Sequence, residues 1–174
     1  MRVHPSVPLF AALGLVACGK PAAQSDQAAS STNAPASSEA ATPAATPAGP
    51  TDAQKKAMLA TLPAAYQAAD LDNGQAKFAL CQSCHTVVQG GPAMTGPNLW
   101  GIFGRKAGSS PDFSYSDGMK AYGIVWDADH LEKWITNPRA VIAGTKMTYL
   151  GMENPKDRID TIAYLKTVTS APGS

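Results

Sequence analysis

Cys81-Gln82-Ser83-Cys84-His85 sets two thiols three residues apart and follows them at once with an imidazole. Thiols at that spacing near a helix end can add to the two vinyl groups of one haem, and the next residue then places its ring under the iron. Two other chemistries use similar residues. A thioredoxin-like dithiol would need a strand ahead of the motif within a βαβ unit, and no strand can be read there. A structural zinc would need four ligands, yet beyond Cys81, Cys84 and His85 there remain His130, acidic side chains and Cys18, which lies far upstream. The spacing therefore predicts one covalent haem c held through Cys81 and Cys84, with His85 as the proximal iron ligand.

What the iron can do depends on its sixth ligand. An open position admits a small molecule, whereas a methionine closes it and raises the reduction potential. Five methionines follow the leader: Met58, Met94, Met119, Met147 and Met152. Met147, in Gly144-Thr145-Lys146-Met147, falls in a loop between two expected helices, where the chain can approach the face opposite His85. Met152 is its main rival, and any methionine can equally fill an irregular gap in a core.

Three helices are expected to carry these groups. Asp70 or Asp72 caps a first, running through Gly74, Phe78 and Leu80 to the cysteines. Asp127 caps a second, in which Leu131, Trp134 and Ile135 fall at i, i+3 and i+4 before Pro138 ends it. Asn154 caps a third, with Pro155 at its first position, Asp157 in its first turn, and Ile159, Ile162 and Ala163 on one face. Everything from Thr86 to Val125 reads as loop. That much Gly- and Pro-rich chain argues against a compact domain unless a large apolar cofactor fills its centre.

The rest of the chain bounds the setting. Its 174 residues carry a formal net charge of +1 and no long Lys/Arg run, which gives no reason to expect nucleic acid. The apolar run Val7 to Ala17 is too short to span a bilayer and reads as an export signal. Leu15-Val16-Ala17-Cys18 resembles a bacterial lipoprotein signal, so Cys18 is expected to be the lipidated first mature residue, on the periplasmic side of a bacterial membrane, with the inner membrane favoured. An ordinary secretory signal or an uncleaved anchor is the alternative. From Pro21 to Pro50, 25 of 30 residues are Ala, Pro, Ser, Thr or Gly, with nothing large to bury. As a flexible linker this stretch reaches roughly 30 Å. The expected order is a signal peptide over 1–17, lipidated Cys18 and linker over 18–52, a pre-domain arm over 53–69, and the haem domain over 70–174.

Taken together, the haem domain resembles a class I cytochrome c of the mitochondrial and alphaproteobacterial type. The matching residues stand in order: Gly74 and Phe78, Cys81 to His85, Gly96-Pro97-Asn98-Leu99, Gly101-Ile102-Phe103-Gly104-Arg105, Phe113-Ser114-Tyr115-Ser116, Gly123-Ile124-Val125-Trp126, Asn137-Pro138, Gly144-Thr145-Lys146-Met147 and Ala163-Tyr164-Leu165. The resemblance implies an all-α fold of three main helices with long loops wrapped around one haem. It also implies that the carbonyl at Pro97 orients His85 and that Arg105, Tyr115 and Trp126 attend the haem propionates. Thr145 would assist the ligand loop, and Gly74, Phe78, Tyr164 and Leu165 would form a crossing of the first and last helices.

Several positions depart from the family pattern. Trp134 stands where a Tyr usually bonds the ligand Met, and an indole can only donate. Met119 replaces a polar residue near the haem, and Tyr149 an aromatic beside the ligand. Leu80 and Glu153 occupy places that are often Lys, which dilutes a basic ring that retains Lys146 and Arg139. The expected function is a monomeric, membrane-anchored single-electron carrier, not an enzyme, between a cytochrome bc complex and a terminal oxidase or other acceptor. A fixed subunit of a larger respiratory complex and a peroxidase-like haem enzyme are the alternatives; the latter would need an open iron and a distal acid or base, for which His130 is the other histidine at hand.

Overall fold

Helix caps set the frame. The computed structural model describes residues 49–171 and contains seven helices among them: α1 Asp52–Ala60, α2 Ala64–Gln67, α3 Leu71–Gln82, α4 Asp117–Ala121, α5 Ala128–Thr136, α6 Pro138–Val141 and α7 Pro155–Thr169. The Asp70 carboxylate accepts from the N–H groups of Asp72 and Asn73, the Asp127 carboxylate from that of His130, and the Asn154 side chain from that of Lys156. Each satisfies a backbone donor that the first helical turn leaves without a partner. These three caps start the three expected helices, and of the two candidates for the first it is Asp70 that serves.

The central packing is α3 against α7. They approach at Gly74, where an added Cβ would lie 2.1 Å from the carbonyl oxygen of Asp160 and 2.8 Å from Cβ of Tyr164. One turn on, Phe78 is 1 % exposed and its ring lies 5.6 Å from that of Tyr164. An aromatic pair of this kind adds about 0.5–1.5 kcal/mol to the burial itself. Asp160 is buried beneath the crossing, where the N–H of Asp70 and the amide of Asn73 donate to it and Lys156 pairs with it. The helix crossing expected from Gly74, Phe78, Tyr164 and Leu165 is therefore present, locked by a polar clasp.

Two expectations are corrected. The arm over 53–69 is packed: α1 and α2 lie on each other and on α7, burying Met58, Leu59, Leu62 and Tyr66. Burying Met58 alone is favourable by about 1.5–3 kcal/mol as an upper estimate. The Thr51 capping box starts α1, and Pro63 bends the chain into α2 without ending its contact with the body. The stretch from Thr86 to Val125 is not entirely loop either. It contains α4, capped by Ser116, and an antiparallel bridge between Lys106 and Val125. No named strand forms among the described residues, and no helix among them is long and apolar enough to cross a membrane. Cys18, the leader and most of the linker lie outside the described residues.

Candidate functional site

The end of α3 delivers Cys81, Cys84 and His85 to one wall of a cavity of about 290 Å³. Its other walls come from the 95–105 loop, the 113–119 segment, α5, the 145–149 loop and α7, and they are mostly apolar: Leu99, Ile102, Leu131, Ile162 and Leu165. The cavity lies where the long loops needed a large apolar group to pack around.

His85 is fixed from two sides. Its Nδ1 lies 2.7 Å from the backbone oxygen of Pro97. A carbonyl can only accept, so Nδ1 carries the hydrogen and Nε2 keeps its lone pair for a metal. Gly96 presses on the ring: a Cβ there would sit 2.3 Å from Cε1. Burial pulls the imidazole pKa below its ordinary value; the Pro97 bond opposes that and the Arg105 charge adds to it. A neutral imidazole is the form that binds iron.

The surroundings of Cys81 disfavour its thiolate. Burial, with Cys84 beside it, raises the Cys81 thiol to about 11. A reactive pair of this spacing needs the opposite shift, toward thiolate. Both cysteines are half-buried, with the Ser83 hydroxyl 3.6 Å from Sγ of Cys84.

Of the methionines, Met119 and Met147 line the cavity. The Met147 loop is pinned by the hydroxyl of Thr145, which accepts the N–H of Met147 at 3.2 Å, and by Lys146, which reaches the carbonyl and hydroxyl of Ser114. Met152 is turned away into the core, its sulfur 3.7 Å from the Thr161 hydroxyl. Met94 is half exposed, and Met58 is buried on α1, which packs on α7.

Arg105, Tyr115, Trp126 and Trp134 also line the cavity, as does Thr145. Gly104 and Trp126 bond through their backbones, and so do Trp126 and Arg105, which places Arg105 next to Trp126. The Arg105 guanidinium donates to the carbonyls of Asn98 and Trp100. Trp134 packs edge-on against Trp126 at 5.8 Å, and Tyr115 against Phe113 at 4.9 Å. His130 does not line the cavity and its ring bonds Asp127. The helical part of the apolar wall was visible in the sequence only as helix faces, because a core and a cofactor pocket ask for the same residues.

The cytochrome c family model matches residues 71–169. The chain belongs to the cytochrome c family. It is similar to cytochrome c2 of Rhodomicrobium vannielii, 46 % identical over 103 residues that cover 59 % of this chain and 82 % of that one. Cytochrome c of Theileria parva is 49 % identical over 90 residues, covering 52 % and 77 %, and that of Gibberella zeae 47 % over 89, covering 51 % and 84 %. The cytochrome c domain is of class I and all-α, and it binds haem c covalently through Cys81 and Cys84 as an electron carrier. The pocket fits that group: the thiols, an imidazole with a free Nε2, and apolar walls meet in one cavity.

Proposed function

We propose that this cytochrome is a monomeric, lipid-tethered periplasmic carrier of single electrons, its iron held between His85 and Met147, passing electrons from a cytochrome bc complex to a terminal oxidase or similar acceptor. Bound haem supplies an iron that cycles between ferrous and ferric states. The carrying observation is that one cavity gathers His85, oriented by Pro97, and Met147, held by Thr145. Two protein ligands leave no position for substrate, so the site exchanges electrons and makes no bonds.

The remaining residues then have defined work. Arg105, Tyr115 and Trp126 stabilise the propionates, whose charges are costly to bury alone. The apolar walls exclude water from the iron. Cys18 carries the acyl chains, and two or more of these anchor stably where one is marginal. The linker lets the domain search the membrane surface and raises its effective concentration near membrane partners.

Carbon monoxide tests the closed iron. The reduced full chain should bind it negligibly at neutral pH. Ready binding, together with turnover of hydrogen peroxide, would replace the carrier by a haem enzyme.

A further inference from the structure

Residues 52–67 precede the stretch that matches the family, yet they pack on α7 and reach α5, the two helices that flank the loop carrying Met147. Tyr66, 2 % exposed at the end of this extension, donates its hydroxyl to Oε2 of Glu132 on α5 at 2.9 Å. It also lies 3.4 Å from the carbonyl of Ala128. The other oxygen of Glu132, Oε1, accepts from Nε of Arg158 on α7 at 3.3 Å. Arg158, with its side chain 12 % exposed, then donates through Nη1 to the backbone carbonyls of Met152 and Glu153, at 2.9 and 2.7 Å. Those two residues close the loop that begins after α6 and contains Met147. The N–H of Met152 bonds the carbonyl of Ile135, so the loop's end is held from both α5 and α7.

We propose that the extension is a clamp on the ligand loop, with Tyr66 a positioning residue that acts through Glu132 and Arg158 to keep Met147 on the iron. This rests on the reading of Met147 as the sixth ligand. The physical case is that the Arg158 contacts anchor the C-terminal end of the loop and so limit how far it can swing out. Arg158 is held in place by Glu132, and Glu132 by a hydroxyl fixed in the core. Local opening has a free energy set by the contacts it breaks, so removing one restraint raises the open population. The extension that supplies Tyr66 lies outside the stretch that matches the family, while Glu132 and Arg158 lie within it.

Imidazole reads the open population, because it binds ferric iron only when Met147 leaves. With the haem-loaded full chain, Tyr66→Phe, which keeps the buried ring, should raise the apparent imidazole affinity about fivefold, and Glu132→Gln by at least as much. In a Met147→Ala background the effect of Tyr66→Phe should vanish, since no methionine is left to displace. Asn73→Ala, which loosens the distant α3–α7 clasp, should lower the thermal midpoint without an affinity gain. Unchanged affinity in both network variants would overturn the clamp. So would a gain that persists without Met147, or an equal gain in Asn73→Ala. If Met147→Ala alone leaves imidazole affinity at the wild-type value, the ligand reading itself has failed.

Discussion

Gly96 and His85 are in such close contact that a single methyl group on residue 96 would overlap the imidazole, at 2.3 Å from Cε1 and 2.7 Å from Nδ1. The same ring is bonded to the next residue's carbonyl, at Pro97. The loop therefore fixes both the tilt and the tautomer of the ring.

Gly96→Ala should force that ring off its position. The expected outcome is a low yield of haem-loaded protein and a Soret band that shifts or splits, read by absorbance after expression in a host that matures c-type haem. An unchanged spectrum would mean that the loop gives way easily and does not fix the ligand.

Gly74→Ala places a methyl group 2.1 Å from the Asp160 carbonyl oxygen, on backbone rather than on a mobile side chain. Overpacking of this kind costs about 1–3 kcal/mol and here should reach the upper end. Denaturant unfolding of the haem-loaded protein measures it, and a loss below about 0.5 kcal/mol, within the range of an ordinary surface change, would contradict the crossing.

The Asp160 clasp gives stability a sign with pH. Burial pushes the Asp160 carboxyl up, but the bonds from Lys156, Asn73 and the Asp70 N–H outweigh it and hold the pKa below the ordinary value. A carboxylate depressed in the folded state stabilises above its unfolded pKa, about 3.9, and that contribution is lost as pH falls through the folded value. Asp160→Asn should therefore lower stability at neutral pH by roughly 1–3 kcal/mol. Its deficit against wild type should shrink as the solution is acidified through that window. Acid titrations followed by circular dichroism would show this; a deficit independent of pH would place the effect in packing instead.

Cys18→Ser should move the cytochrome from the membrane fraction to the soluble periplasm while leaving its spectrum unchanged. Retention in the membrane would assign the anchoring to the apolar leader instead of to lipid on Cys18.

The sequence discloses the site better than the outer fold. Cys81, Cys84 and His85 are adjacent in the chain, so their chemistry is readable without a third dimension, and the caps at Asp70, Asp127 and Asn154 are equally local. Tyr66 is the opposite case. Its burial depends on Glu132 and Ala128, more than sixty residues away, and Pro63 breaks the periodicity that would have joined it to Met58 and Leu59. The short α4 escaped because five residues containing Gly118 show no period. Trp134, noted as a departure from the family pattern, lines the cavity and also meets Trp126 edge-on, a contact that the turn between Trp126 and the start of α5 creates and no helical period announces.

The central claim is tested most directly by the absorption of the oxidised full chain in the far red, where sulfur ligation of low-spin ferric haem gives a weak band. The account predicts that the wild type has the band, that Met147→Ala lacks it, and that Met119→Leu, which alters the other methionine lining the cavity, keeps it. A band surviving in Met147→Ala, or absent from the wild type, would contradict ligation by His85 and Met147.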